Sequence, residues 1–211
     1  MIVSIFDYGA GNIHSLFKAL EREGIELRVD TDPLRAIEAE ALVLPGVGGF
    51  AHAAERLAPG RSAMRERIIS GLPTLGVCLG MQLFFEGSDE GPGEGLGLVR
   101  GRVSRISAER VPQIGWNGLE LEVVDDSLFP PGSLDIAYFA NSFVCRDAAS
   151  HAGSVIAWTT HERDRFPSAI RVGSAVGVQF HPEKSSRAGV EWIQRWLDEA
   201  VSGEPAAAGG R

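Results

Sequence analysis

Lysine is almost missing from this chain. Lys18 and Lys184 are the only two among 211 residues, and the remaining basic residues are arginines scattered along the sequence. With 28 acidic residues against 20 basic ones the formal charge is −8, so there is no clustered basic stretch of the kind that tracks nucleic acid. Long apolar runs are missing too. The longest, such as Leu42 to Leu44 and Leu79 to Phe85, fall far short of the roughly 20 residues that cross a bilayer. The opening Met1-Ile2-Val3-Ser4-Ile5-Phe6 has no basic segment ahead of its apolar residues, and reads as a strand rather than a secretion signal. Cysteine is limited to Cys78 and Cys145. A chain of this size buries roughly 70% of its unfolded surface, so it needs no disulfide staple, and free thiols in a reducing compartment are expected. These absences exclude nucleic-acid and membrane roles and point to a cytoplasmic protein. His14, His52, His151 and His161 show no ligand spacing, so neither a metal nor a cofactor is expected.

What is present has an ordinary globular balance, 44% hydrophobic and 23% charged. Ile2 to Phe6, Ile25 to Val29, Ala41 to Leu44 and Thr74 to Val77 read as short buried strands. Between them lie helical patterns: Ile13, Leu16, Phe17 and Leu20 at helical spacing, with Asn12 placed to cap and Gly24 to stop, then segments 50–57 and 61–70. Strand alternating with helix at this spacing predicts a doubly wound, mostly parallel α/β sheet flanked by helices. After residue 98 the runs 99–106, 119–124, 136–140, 154–158, 168–172 and 175–180 are rich in β formers, and predict added strands, some antiparallel. A last helix over 186–201 puts Val190, Ile193, Trp196 and Leu197 on one stripe. No repeat or linker divides the chain, so a single domain over 1–201 is expected, with a mobile tail over 202–211.

Three segments carry chemistry. Gly76-Val77-Cys78-Leu79-Gly80 lies between a central strand and a helix expected over Met81 to Phe85, the strand–turn–helix setting of a nucleophile elbow. Glycines on both sides remove side chains that would strike backbone, and amides at the start of the helix favour an anion there. Val178-Gln179-Phe180-His181-Pro182-Glu183 ends the last strand-like run. Pro182 biases His181 toward extended backbone, where residues two apart face one side, so Glu183 can hold one imidazole nitrogen and leave the other free. Pro45-Gly46-Val47-Gly48-Gly49 closes the third strand, and its backbone N–H groups can face an oxyanion. It has no Lys-Ser/Thr, which leaves nucleotide binding unsupported. Singly, each segment is also what a structural cysteine, a surface histidine or a plain turn would look like. Together they fall at the carboxyl edge of one sheet and predict a Cys78–His181–Glu183 site.

The elbow, extended through Met81 and Gln82, resembles the class I glutamine amidotransferases. Within these the chain is similar to the glutaminase subunits of imidazole glycerol phosphate synthases. The narrower likeness rests on Asp7-Tyr8-Gly9-Ala10-Gly11-Asn12, Leu44-Pro45-Gly46-Val47-Gly48, Gly95-Leu96-Gly97-Leu98, Val111-Pro112-Gln113-Ile114-Gly115-Trp116-Asn117, Tyr138-Phe139 with Ser142, and Gly177 through Ser185. The resemblance implies that Cys78 attacks the glutamine carboxamide, that His181 moves the proton, and that Glu183 orients it. It further implies an oxyanion site from the Leu79 N–H and an amide of Gly46, Val47 or Gly48, with glutamine held near Gln82, Ser142 and Phe143. The partner implied is a (βα)8-barrel cyclase that receives the ammonia, with Asn12, Trp116, Asn117, Tyr138 and Lys184 at the docking face or ammonia gate. Where the family usually carries histidine, this chain has Gln113 and Asn141. A glutaminase serving a pyridoxal-phosphate, anthranilate or aminodeoxychorismate synthase is the alternative reading. A Cys-His-Glu peptidase or hydrolase is the reading from another class.

Overall fold

Every residue of β3 (Ala41–Leu44) and β4 (Thr74–Val77) is buried, as in strands covered on both faces. The computed structural model describes residues 1–9, 13–122, 126–146 and 155–203. The first half runs β1 (Ile2–Phe6), α1 (His14–Leu20), β2 (Glu26–Asp30), α2 (Pro33–Ala36), β3, α3 (Phe50–Leu57), α4 (Arg61–Ile69), β4 and α5 (Leu79–Gln82). The second half adds β5 (Gly87–Ser88), β6 (Arg102–Arg105), β7 (Gln113–Gly118), β8 (Glu120–Leu121), β9 (Ile136–Asn141), β10 (Phe143–Cys145), β11 (Val155–His161), β12 (Asp164–Val172), β13 (Ala175–Val178) and α6 (Ser186–Ser202).

One sheet of eight strands runs β2-β1-β3-β4-β13-β12-β11-β8. The strands from β2 to β13 are mutually parallel, and β12, β11 and β8 continue antiparallel. The pleat sends alternate residues to opposite cores. Ala41, Val43, Leu75 and Val77 join a core built with Leu16 and Leu20 of α1 and Trp192, Ile193, Trp196 and Leu197 of α6. Leu42 and Leu44 join the other, with Phe50 and Leu57 of α3 and Met64 and Ile68 of α4. Helices therefore cover both faces, as the alternation of strands and helices predicts. Outside this sheet lie a small β10-β6-β5 sheet and the antiparallel pair β7-β9. The carboxyl ends of β1, β3, β4 and β13 share one rim, which is where open parallel sheets hold their ligands.

The first helix begins at His14 with Ile13 in the cap position and no side-chain cap bond from it; the expected cap residue, Asn12, lies outside the described residues. That helix ends at Leu20, and Gly24, at φ +82°, serves the turn into β2 instead of stopping the helix. The helix after the elbow is also displaced from its expected span of 81–85: it starts at Leu79 and lasts one turn. Its continuation is blocked because the Leu83, Phe84 and Phe85 carbonyls accept from the N–H groups of Leu96, Val99 and Gly97, leaving none for a further helical turn. At the other end α6 continues to Ser202, and Gly203 closes it in the left-handed conformation. Ser202, expected in the tail, is therefore helical, and 204–211 lie outside the described residues. β7 and β10 were not anticipated. Gly115 and Gly118 break the alternation of β7, and β10 is only three residues long.

Candidate active site

Cys78 sits between β4 and α5 with φ 47° and ψ −100°, a conformation that costs an L-residue about 1–3 kcal/mol and needs support from its surroundings. Its N–H donates to the Val178 carbonyl at 2.6 Å, which pins the turn to β13. The flanking glycines are required by close approach. A methyl on Gly80 would lie 2.0 Å from the Leu44 carbonyl oxygen, and one on Gly76 would lie 2.7 Å from the Gly80 carbonyl group.

His181 follows β13 in extended backbone, φ −103° and ψ 93°. Sequence reasoning places Glu183 beside it through an extended segment, but the chain takes another route: Pro182–Lys184 forms a single 3₁₀ turn. That turn brings Glu183 Oε1 to 2.8 Å from Nδ1 of His181. The expected contact is present with a different backbone. The His181 N–H donates to the Tyr138 carbonyl at 2.8 Å, while Ser185 Oγ accepts from the Tyr138 N–H and donates to the His181 carbonyl. Burial lowers the imidazole pKa, but the charge of Cys78 and a hydrogen bond with it, then the bond and charge of Glu183, outweigh burial and raise it to about 10. The ring thus stands beside the sulfur with Nδ1 held by the Glu183 carboxylate.

The glycine loop after β3 closes over this pair. A methyl on Gly46 would sit 2.9 Å from Cβ of Cys78, 2.9 Å from Cε1 of His181 and 3.0 Å from the Val77 carbonyl oxygen. Gly48 has φ +97°, which a side chain would resist. Two residues that sequence reasoning did not single out fix this loop. The wholly buried Tyr8 donates its hydroxyl to the Pro45 carbonyl at 3.2 Å. Burial first, then the charges of Asp7 and Cys78, keep that hydroxyl well above the ordinary phenol range. Glu90 Oε2 accepts from the Phe50 N–H at 3.0 Å, at the start of α3.

Against the sulfur also lies a ladder of amides. Gln82 Nε2 donates to the Phe143 carbonyl at 3.1 Å and to Gln179 Oε1 at 3.2 Å. Gln179 Nε2 points at Cys78 Sγ, 3.3 Å away. Asn141 Nδ2 also donates to the Phe143 carbonyl, and Ser142 lies between these two residues, with its carbonyl accepting from Ile106. Gln179 was missed because its neighbours are remote in sequence. Gln113 pairs with Asn141 across β7 and β9, and both side chains are buried.

The structure thus gathers Cys78, His181, Glu183, Gly46, Leu79, Gln82 and Phe143 at one rim. The remaining residues singled out for a partner lie farther out. Trp116 is exposed and meets Tyr138 edge to face at 6.1 Å on the outer side of the β7–β9 pair, beside exposed Ile114 and Ile136. Lys184 is exposed as the last residue of the 3₁₀ turn. Asn117 turns back into the chain, donating to the Thr160 carbonyl and accepting from the Gly118 N–H. Cys145 is wholly buried, and both cysteines are free. Among the described residues no helix is long and apolar enough to cross a membrane, and no group of metal-ligating side chains is assembled.

Residues 4–200 match the family described as glutamine amidotransferase class-I. Proteins described as imidazole glycerol phosphate synthase subunit HisH are similar over most of their length. That of Symbiobacterium thermophilum is 41% identical over 92% of this chain and 92% of its own. That of Corynebacterium diphtheriae is 36% identical over 93% of this chain and 98% of its own. Among solved structures, one titled as a glutamine amidotransferase superposes with a TM-score of 0.73 at 22% identity, covering 95% of this chain and 100% of that one. A glutamine amidotransferase from Thermotoga maritima gives 0.60 at 20% identity, covering 95% of this chain and 84% of that one.

Proposed function

The chain belongs to the class I glutamine amidotransferases, and from that premise we propose that it is the glutaminase subunit of an imidazole glycerol phosphate synthase, built as one amidotransferase domain over residues 1–201. The observation that carries the chemistry is the placement of His181 between the Cys78 sulfur and the Glu183 carboxylate, with the ring raised to about 10. His181 takes the proton of the Cys78 thiol, and the sulfur attacks the carboxamide carbon of glutamine as a thiolate. The carbonyl oxygen becomes an oxyanion, met by the N–H of Leu79 and an amide of the Gly46-Val47-Gly48 segment. One such donor contributes about 3–4 kcal/mol to lowering the barrier. His181 then gives its proton to the departing nitrogen, ammonia leaves, and a glutamyl thioester remains on Cys78. The same imidazole removes a proton from water, which attacks the thioester and releases glutamate. Glu183 keeps Nδ1 as a donor through each step and so fixes which nitrogen faces the sulfur.

Gln82, Ser142 and Phe143 hold the glutamine. The ammonia passes to a (βα)8-barrel cyclase docked on Trp116, Tyr138 and Lys184, which makes imidazole glycerol phosphate and an aminoimidazole carboxamide ribotide. Asn12, assigned to the same face by resemblance, lies outside the described residues, and Asn117 supports the face from behind through Thr160. Two free thiols suit the reducing cytoplasm as the place of work.

The test is Cys78→Ala assayed with the cyclase. Glutamine-dependent synthesis is expected to vanish while synthesis from added ammonium salt continues. Glutamine use surviving in that variant would remove the nucleophile assignment.

A further inference from the structure

The side-chain amide of Gln179 is wholly buried and has one orientation open to it. Its Oε1 accepts from Gln82 Nε2 at 3.2 Å, so its own Nε2 must face the other way, where Sγ of Cys78 lies 3.3 Å distant. Turned over, the amide would set an oxygen against the sulfur and an N–H group against another N–H group. Gln82 is fixed in turn, because its Nε2 also donates to the Phe143 carbonyl, which takes a second bond from Asn141. Gln179 lies two residues before His181, in the bend that follows the end of β13, with its N–H held by the Ser168 carbonyl at 2.9 Å. Past the end of β13 the chain thus brings both an imidazole and an amide to the same sulfur, while Phe180 between them enters the core.

We propose that Gln179, within the glutaminase reading above, is a further catalytic residue whose amide N–H holds the Cys78 thiolate and ties it to Gln82. A hydrogen bond to an ionised group is among the stronger ones in a protein. Here the donor already stands 3.3 Å from the sulfur. The titratable groups around the sulfur are His181 with Glu183 behind it, Tyr8 and Cys145. Burial raises the last two above their ordinary ranges, which leaves them neutral. Gln179 therefore supplements the imidazolium in stabilising negative charge at position 78.

The test uses the full chain and the rate at which iodoacetamide alkylates Cys78, followed by peptide mass from pH 4 to 9. In Gln179→Met, which keeps the length of the side chain but has no N–H, the acid limb of that rate is expected to move up by about one pH unit. The kcat for glutamine, measured with the cyclase, is expected to fall by about tenfold. A residue that only fills space would leave the limb in place, and an unmoved limb in a folded variant overturns the proposal. Should Gln179→Met fail to fold, Gln179→Glu has nearly the native shape and is read the same way. Its carboxylate against the sulfur is expected to move the limb further upward, and no movement is again fatal. Loss of glutamine use in Cys78→Ala together with an unmoved limb removes Gln179 alone. Retained glutamine use in Cys78→Ala removes the reading beneath it.

Discussion

The imidazole of His181 is held protonated far above the range of an ordinary histidine, and this has a consequence for stability. An unfolded chain releases that proton near pH 6.5, whereas the folded chain keeps it to about 10. The protonated ring therefore stabilises the fold fully below about pH 6.5. That contribution is lost as the pH climbs through about 10. Cys78→Ala, which removes the largest of the effects raising this group, is expected to bring the His181 ring titration, followed by proton NMR, down toward about 6.5. The melting temperature of the variant should then fall less than that of the native chain between pH 7 and 9. A midpoint that stays near 10 would show that the sulfur is not the group responsible. At this scale Cys78 and His181 were legible because each sits in a short motif whose backbone dictates its role. Glu183 was legible as a partner but not as the end of a 3₁₀ turn. Gln179 was not legible, because its importance depends on a sulfur 101 residues away.

Glycines carry the elements that form the elbow. The carbonyl of Leu44 on β3 passes so near Gly80 that an added methyl would lie 2.0 Å from it. Relief requires β3 and α5 to move apart, and both are packed in the core. Gly80→Ala is expected to cost at least about 2 kcal/mol in urea unfolding. Gly118→Ala, where an added methyl meets nothing within 4 Å, is expected to change stability by less than about 0.5 kcal/mol. Equal costs would mean that the close approach is relieved by backbone adjustment. The reason these glycines are needed could be read from the sequence, as could β1, β3, β4 and the alternation with α1, α3 and α4. The length of α5 could not. Its apolar run continues to Phe85, and only the return of residues 95–99 to its carbonyls explains why the helix stops at Gln82.

The parallel order of β1, β3, β4 and β13 makes four separate segments arrive at one rim; the alternating pattern of the first half was enough to foresee β1, β3 and β4 there, whereas the last strand was placed there by the motif around His181. The antiparallel extension and the β7–β9 pair were harder to read, since their strands are short and broken by glycine and proline. That pair carries the exposed apolar cluster of Ile114, Trp116 and Ile136 around Tyr138. An aromatic at the centre of such a patch is the residue type that dominates binding energy. Trp116→Asp is expected to weaken association with the cyclase by about tenfold or more in calorimetric titration, with the unfolding midpoint of the isolated chain nearly unchanged. Undiminished affinity would move the docking face elsewhere.

Strand β9 ties this outer patch to the rim by the shortest route a polypeptide allows. Tyr138 shows its ring to the outside while its carbonyl grips the N–H of His181, with Ser185 clasping the neighbouring groups. One residue thus belongs both to the outer aromatic patch and to the backbone seat of the histidine, so a group that displaces Tyr138 also displaces a hydrogen-bond acceptor of His181.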